Sequence, residues 1–390
     1  MFFKKGFKKS LCFALSGILT LGMVATTNIS VSAVDASEKV FKPLPNEYKT
    51  TSSKQGSIEK LSYKWGNDTK YFNVYLPNGY NQSDTSKKYN VVYLMHGGGE
   101  DENLLFGGPG QNKELKVIID NMIAKGDIDP VIVVTPSFYK GNNDVAGFPQ
   151  ELTASVIPLV ETKYNTYLKS NSAADMKASR AHRAFGGFSM GSVCTWYTFI
   201  NCLDYVKYFI PLSGDCWALG STAGSSKPAE TAQYLADVVK KSGYQAPQDY
   251  KLFCATGSED IAYPNMRPQI EAMKKYTNTF IYSSDIKNGN FYFMVANGGT
   301  HWWGYINQYI YNILPDLFQD VVEPVQTLGD LNNDGSVDAT DYALLKMHIL
   351  NITPLTGDAL KNADVDKNGE VNAIDFAVMK KYLLGIISSF

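Results

Sequence analysis

Short, solidly apolar runs alternate with stretches of helical period through the middle of the chain. Residues 71–76 (YFNVYL) alternate and stop at Pro77, whereas Val91–Met95 (VVYLM) and 131–135 (VIVVT) are apolar almost throughout. Further runs lie at Tyr208–Leu212, 250–255 and Phe291–Ala296, each leading into a polar turn. Helical patterns fall at Glu114–Lys125, around 152–164, and from Ser189 onward. A strand that is apolar along its whole length must be covered on both faces. The pattern therefore predicts an α/β domain with a mostly parallel sheet covered by helices. Functional groups in such a sheet gather just beyond the carboxyl ends of the strands.

The two ends of the chain follow other patterns. Lys4, Lys5, Lys8 and Lys9 precede an apolar run over 11–27 and a small-residue site at Val31, Ser32, Ala33, so residues 1–33 read as a secretory signal peptide. The run is short and diluted for a bilayer anchor, and no second apolar span follows. Residues 34–55 are polar, contain two prolines and lack any period, which predicts a tether into the first domain at 56–320. The pattern lapses again at 321–328, a short linker.

Beyond it the chain repeats itself. GDLNNDGSVDATDYALLKMHIL, from Gly329, is echoed by ADVDKNGEVNAIDFAVMKKYLLG. The first copy offers oxygen ligands at Asp330, Asn332, Asp334, Asp338 and Asp341, with Gly335 at the turn and Ser336 presenting its carbonyl. The second offers Asp364, Asp366, Asn368, Asn372 and Asp375, with Gly369 and the Glu370 carbonyl. This spacing suits a hard cation, Ca2+, one per loop. Position 12 is aspartate twice where an EF-hand has glutamate, which argues against a regulatory calcium sensor. Tyr342, Leu345 and Ile349 match Phe376, Met379 and Leu383, so the helices after the loops are expected to bury these faces together in a small all-α domain at 329–387.

Composition changes the picture little. A chain of 390 residues with 44% apolar and 19% charged residues is long enough for several globular domains, and a net charge of −2 leaves no electrostatic footprint for nucleic acid. Cys12 falls in the leader; Cys194, Cys202, Cys216 and Cys254 lack CxxC spacing, and the sequence leaves their disulfide state open.

The chemistry centres on RAFGGFSMGSVCTWY. Gly187, Phe188, Ser189, Met190 and Gly191 form GxSxG between a strand and a helix, the pattern of a nucleophile elbow. A serine hydroxyl needs a base, and the chain has only four histidines: His96, His182, His301 and His348. The order serine, acid, histidine that accompanies this elbow removes His96 and His182, while His348 belongs to the repeat; His301, in GGTHWWG, remains. For the acid, Asp260 in TGSEDIAY is preferred and Asp215 is the runner-up. Met190 N–H supplies one oxyanion donor, and the loop His96, Gly97, Gly98, Gly99 after VVYLM supplies the second through Gly98 or Gly99.

The blocks GFSMGS, TWYTFINCLDYVKYFIPLSGDCW, GSEDIAYPNM and GNFYFMVANGGTHWWGY resemble the esterase modules of carbohydrate esterase family 1, in particular feruloyl esterase domains of cellulosomal xylanases. The resemblance implies an α/β-hydrolase fold, hydrolysis of hydroxycinnamate esters on xylan, a triad of Ser189, Asp260 and His301, and Trp217 in the substrate pocket. Acetylxylan esterase on the same fold is the alternative, with an acyltransferase or a noncatalytic carbohydrate-binding module further off. The duplicated loop and helix resemble type I dockerins. That resemblance implies a cohesin on a scaffold protein as partner, chosen around Ala339, Thr340, Ala373 and Ile374, and an extracellular enzyme bound to a cellulosome.

Overall fold

The computed structural model describes residues 38–141, 144–321, 328–332 and 336–390. The expected signal peptide, the first residues of the tether, most of the linker, and Asp334 with Gly335 lie outside them. No helix among the described residues is long and apolar enough to cross a membrane.

A single eight-stranded sheet organises the larger part, in the order β1-β2-β4-β3-β5-β6-β7-β8. Its strands are β1 (Ser57–Trp65), β2 (Asp68–Leu76), β3 (Val91–Met95), β4 (Ile132–Thr135), β5 (Arg183–Phe188), β6 (Tyr208–Leu212), β7 (Lys251–Gly257) and β8 (Phe291–Ala296). β1, β2 and β4 pair antiparallel; the pairings from β4 through β8 are parallel. Alternation along β3 sends Val91, Tyr93 and Met95 into one helical layer and Val92 and Leu94 into the other. Continuously apolar strands are thus buried on both faces, as the pattern predicts.

β1 was not legible in the sequence. It is an edge strand whose burial alternates, with only Ile58 fully covered, so its apolar signal is thin. The tether reading also needs correction over its described part. Leu44 and Tyr48 are buried, Lys39 N–H donates to Phe293 O at 2.9 Å, and Asn121 Nδ2 donates to Tyr48 O and Thr50 O at 3.1 and 2.7 Å. The segment is a strap on the domain. Two anchoring apolar residues among polar ones carry no period, which is why the sequence pattern reads as loose chain.

β5 is held at its start by a buried ion pair. Arg183 Nε and Nη2 donate to Glu161 Oε1 and Oε2 at 2.6 and 2.8 Å, and Tyr93 Oη donates to the same carboxylate at 2.8 Å. Glu161 stands on the helix Ile157–Lys163, so this pair pins the central strand to one helical layer.

The repeat region has its own core of Leu331, Leu345, Ala363 and Met379, with the Tyr342 and Phe376 rings stacked at 4.1 Å and 9°. Its helices are Ala339–Ile349, Gly357–Ala363 and Ala373–Leu383. The expected pairing of the two repeat faces is present. Ala339–Ile349 and Ala373–Leu383 pack together through the matched positions.

Candidate active site

The turn between β5 and the helix Met190–Asn201 puts Ser189 at φ 57° and ψ −114°, a conformation costly for a residue with a side chain. The neighbouring glycines make it sterically accessible. A Cβ on Gly191 would lie 2.5 Å from Met95 O and 2.6 Å from His96 O, and one on Gly187 would lie 2.7 Å from Gly191 C. The strand and helix therefore cross too closely for any side chain, and Ser189 N–H is tied to Leu212 O at 3.0 Å.

Ser189, His301 and Asp260 meet beyond the carboxyl ends of β5, β7 and β8. His301 Nε2 is 3.0 Å from Ser189 Oγ, and His301 Nδ1 is 2.7 Å from Asp260 Oδ1. With the ring proton on Nδ1, the imidazole donates to Asp260 and accepts the serine hydroxyl on Nε2. Asp260 Oδ1 also accepts Ala262 N–H at 2.8 Å. Burial pushes the Asp260 carboxyl up, yet the donors from His301, Ala262 and Ser213 together hold it below the usual carboxylate range. The Phe188 ring lies 4.5 Å from the imidazole and limits its swing.

Asp215, the other candidate acid, does not face His301. Its carboxylate accepts Trp217 Nε1–H at 3.2 Å and Gly224 N–H at 3.0 Å, and burial raises its pKa. It fixes the indole of Trp217, which is half-buried against the core.

The glycine loop after β3 resolves its two candidate donors. Gly99 N–H donates to Tyr139 Oη at 2.7 Å, and Gly97 N–H donates to Glu100 Oε2 at 2.7 Å. Among the described residues no hydrogen bond takes up Gly98 N–H, and a Cβ on Gly98 would lie 3.2 Å from Met190 Cγ. Gly98 thus stands beside Met190, whose own N–H is the first of its helix and has no partner inside it. Gly99 is corrected to a support for the loop. Nothing in the spacing of three consecutive glycines distinguishes them; Glu100 and Tyr139 do, and sequence reasoning missed both.

The remaining histidines have other work. His96 is fully buried, bonded through Nδ1 to Gly97 O at 2.7 Å and through Nε2 to Ser137 Oγ at 2.8 Å, and burial lowers its pKa. His182 bonds Asn90 Oδ1 at 2.8 Å; burial, then Arg183 and Lys207, hold it at about 4. His348 Nδ1 accepts Leu355 N–H at 3.0 Å. Cys194, Cys202, Cys216 and Cys254 are buried free thiols.

In the second repeat loop, Asp364, Asp366 and Asp375 each bring a carboxylate oxygen within 4.8 Å of the others. Oxygens that surround one Ca2+ at about 2.3–2.6 Å fall within that spread, so the donor set fits a hard cation. Asp375 Oδ2 accepts Asn372 N–H at 2.8 Å, and Asn372 Oδ1 accepts Ile374 N–H at 2.7 Å. Asp341 and Asp338 repeat this capping box in the first loop, Asp341 Oδ2 taking Asp338 N–H at 2.9 Å and Asp338 Oδ1 taking Thr340 N–H at 2.6 Å. The ninth positions are therefore helix N-caps. Asp330, Asn332, Ser336, Asn368 and Glu370 lie in the two loops as expected.

An α/β-hydrolase sheet with a serine, histidine and aspartate linked beyond its strand ends defines the class, and comparison with known proteins agrees. Residues 64–317 match the putative esterase family, to which the chain belongs, and residues 328–384 match the dockerin type I domain. The chain is 49% identical over 280 residues to endo-1,4-beta-xylanase Y of Acetivibrio thermocellus, covering 72% of this chain and 25% of that protein. It is 33% identical over 172 residues to an endo-1,4-beta-xylanase/feruloyl esterase of Xylanibacter ruminicola, covering 41% of this chain and 22% of that one. The chain thus spans about a quarter of the length of these relatives. Among solved structures it is similar to a serine-to-alanine mutant of the feruloyl esterase module from Clostridium thermocellum complexed with sinapinate, at TM-score 0.67 and 48% identity over 73% of this chain and 96% of that one. A ferulic acid esterase from Anaeromyces mucronatus shares the fold at TM-score 0.53 and 19% identity, over 72% and 99% of the two chains.

Proposed function

We propose that the chain is a secreted carboxylic ester hydrolase that cleaves feruloyl and related hydroxycinnamoyl esters from plant cell-wall xylan. The observation that carries this reading is the unbroken hydrogen-bond chain from Asp260 through His301 to Ser189 at the elbow. Ser189 attacks the ester carbonyl while His301 Nε2 takes its proton, and Asp260 stabilises the imidazolium without itself being protonated. Met190 and Gly98 N–H groups meet the oxyanion. The imidazolium then protonates the departing sugar oxygen, leaving an acyl-enzyme. Water attacks this with His301 again as base, and the free acid leaves.

Preference for hydroxycinnamate is supported by the relative whose serine mutant holds sinapinate, itself a hydroxycinnamate. Trp217, whose indole N–H is held by Asp215, is our candidate for the aromatic residue of the substrate pocket. The test is an ester panel on the purified enzyme: methyl ferulate and feruloylated arabinoxylan should turn over, and Ser189→Ala should not. Faster hydrolysis of acetylated xylan than of any ferulate would replace the reading with an acetylxylan esterase.

The repeat loops hold Ca2+ through Asp330, Asn332, Asp334, Ser336 and Asp341 in one and Asp364, Asp366, Asn368, Glu370 and Asp375 in the other, with Asp338 and Asn372 reaching an ion through water. Bound calcium neutralises carboxylates that otherwise repel one another. The domain so ordered docks a cohesin on a scaffold protein, a role supported by the family match and by Ile374, which is 56% exposed at the expected contact.

A further inference from the structure

We infer that Glu100 is a positioning residue for ester hydrolysis, locking the glycine loop that meets the acyl oxygen to the segment that carries His301. The inference rests on the esterase reading and adds a part to it. Glu100 Oε2 accepts Gly97 N–H and Glu100 Oε1 accepts Trp303 Nε1–H, each at 2.7 Å. Trp303 opens the helix Trp303–Ile313 two residues past His301. Its ring meets Phe188 edge-on at 4.9 Å, and Phe188 in turn packs on the His301 imidazole at 4.5 Å. One carboxylate therefore spans two segments that must keep their spacing around a single carbonyl carbon.

The choice of a carboxylate has a chemical reason. Both of its partners are N–H donors that cannot accept, and a carboxylate has only acceptors to offer. An amide of the same shape turns an NH2 against one of them. Gly97 makes room for the arrangement, since a Cβ there would lie 2.9 Å from Glu100 Oε2 and 3.2 Å from Phe188 Cδ1. With Gly97 N–H taken by Glu100 and Gly99 N–H by Tyr139, the loop is left presenting Gly98 N–H. If the clamp slips, that donor moves relative to the oxyanion while the acyl pocket stays as it was, so the loss falls on kcat.

The experiment measures kcat and KM on methyl ferulate for wild type, Ser189→Ala, Glu100→Gln, Trp303→Phe and the Glu100→Gln/Trp303→Phe double variant. Inhibition by a trifluoromethyl ketone analogue of the substrate, which forms an oxyanion on the serine, is measured alongside. Glu100→Gln is expected to lower kcat about 10- to 100-fold, the range of a displacement near 1 Å, with KM within about twofold. The ketone should weaken in proportion to kcat. In the Trp303→Phe background the amide can turn its oxygen to Gly97 and its NH2 into the vacated place, so the same change should cost under about threefold. Wild-type kcat in Glu100→Gln, a loss confined to KM, or strictly additive losses overturns the inference. Should Glu100→Gln fail to fold, Trp303→Phe alone decides: several-fold lower kcat at constant KM supports the clamp, and unchanged kcat overturns it. Activity surviving in Ser189→Ala would instead remove Ser189 as the nucleophile, and a wild-type enzyme inactive on methyl ferulate would sink the esterase reading.

Discussion

Replacing Asp260 by asparagine isolates the value of its charge. In chymotrypsin-like sites the corresponding change also disturbs the histidine tautomer, with losses near 10⁴ in kcat. Here the oxygen that meets His301 Nδ1 at 2.7 Å also accepts Ala262 N–H at 2.8 Å. Two donors converge on one atom, so an amide settles with its oxygen there and the Nδ1–H tautomer survives. What disappears is the attraction between carboxylate and imidazolium. For unit charges about 4 Å apart at an effective dielectric of about 20 this is about 4 kcal/mol, or about 10³ in kcat. Asp260→Ala additionally strands Ala262 N–H and frees the ring, so it should fall below Asp260→Asn by about another tenfold. Steady-state kcat on methyl ferulate, with thermal unfolding as a check on integrity, measures both. Asp260→Asn within tenfold of wild type, or no better than Asp260→Ala, refutes the separation of charge from orientation.

Other expectations follow from the packing. Glu161→Ala leaves Arg183 buried without its partner and should cost about 3–5 kcal/mol in urea unfolding followed by loss of esterase activity. Gly191→Ala must displace the backbone at Met95 and His96 and should yield little soluble, active enzyme. The Asp260 carboxyl is held below its unfolded value near 3.9, so its contribution to stability is fully present above about pH 4 and fades as pH falls through the lower folded value; the stability gap between wild type and Asp260→Asn should close there. Excess EDTA should unfold the repeat domain by circular dichroism and release cohesin while leaving kcat on methyl ferulate unchanged. Cys202 and Cys216, both pushed by burial to about 12, should resist thiol reagents until the domain is denatured.

Much of the architecture was readable because burial writes itself into continuous apolar runs. β3, β4 and β6 are covered on both faces, and their sequences show little else. The elbow was equally legible, since close approach at Gly187 and Gly191 excludes every side chain. β1 and the strap over residues 38–50 were not, because half-exposed edges and isolated anchors such as Tyr48 leave no period. Asp260 was preferred over Asp215 as the acid, but Asp215 stayed a runner-up because a position after a strand says nothing of where a carboxylate points. Glu100 and Tyr139 were invisible for a related reason: their role is to take up particular N–H groups, and hydrogen-bond partners distant in sequence carry no local pattern.

The partners of the buried carboxylates explain why only one of them suits proton chemistry. Among residues 38–321, the buried carboxylates are Asp120, Glu151, Glu161, Asp215 and Asp260. Asp120, Glu151 and Glu161 pair with Lys116, Lys70 and Arg183, side chains that stand outside the hydrogen-bond chain leading to Ser189. Such pairs hold elements in register, and nothing about them changes as a reaction proceeds. Asp215 has no cation among its hydrogen-bond partners, only Trp217 Nε1–H and Gly224 N–H, and its raised pKa follows from burial that these neutral donors do not fully offset. In the proposed mechanism Asp260 alone faces a group, His301, whose charge alternates as Ser189 gives up and regains a proton. A fixed anion against an alternating cation interacts more strongly with the transition state than with the resting enzyme, which is what separates catalysis from structural pairing.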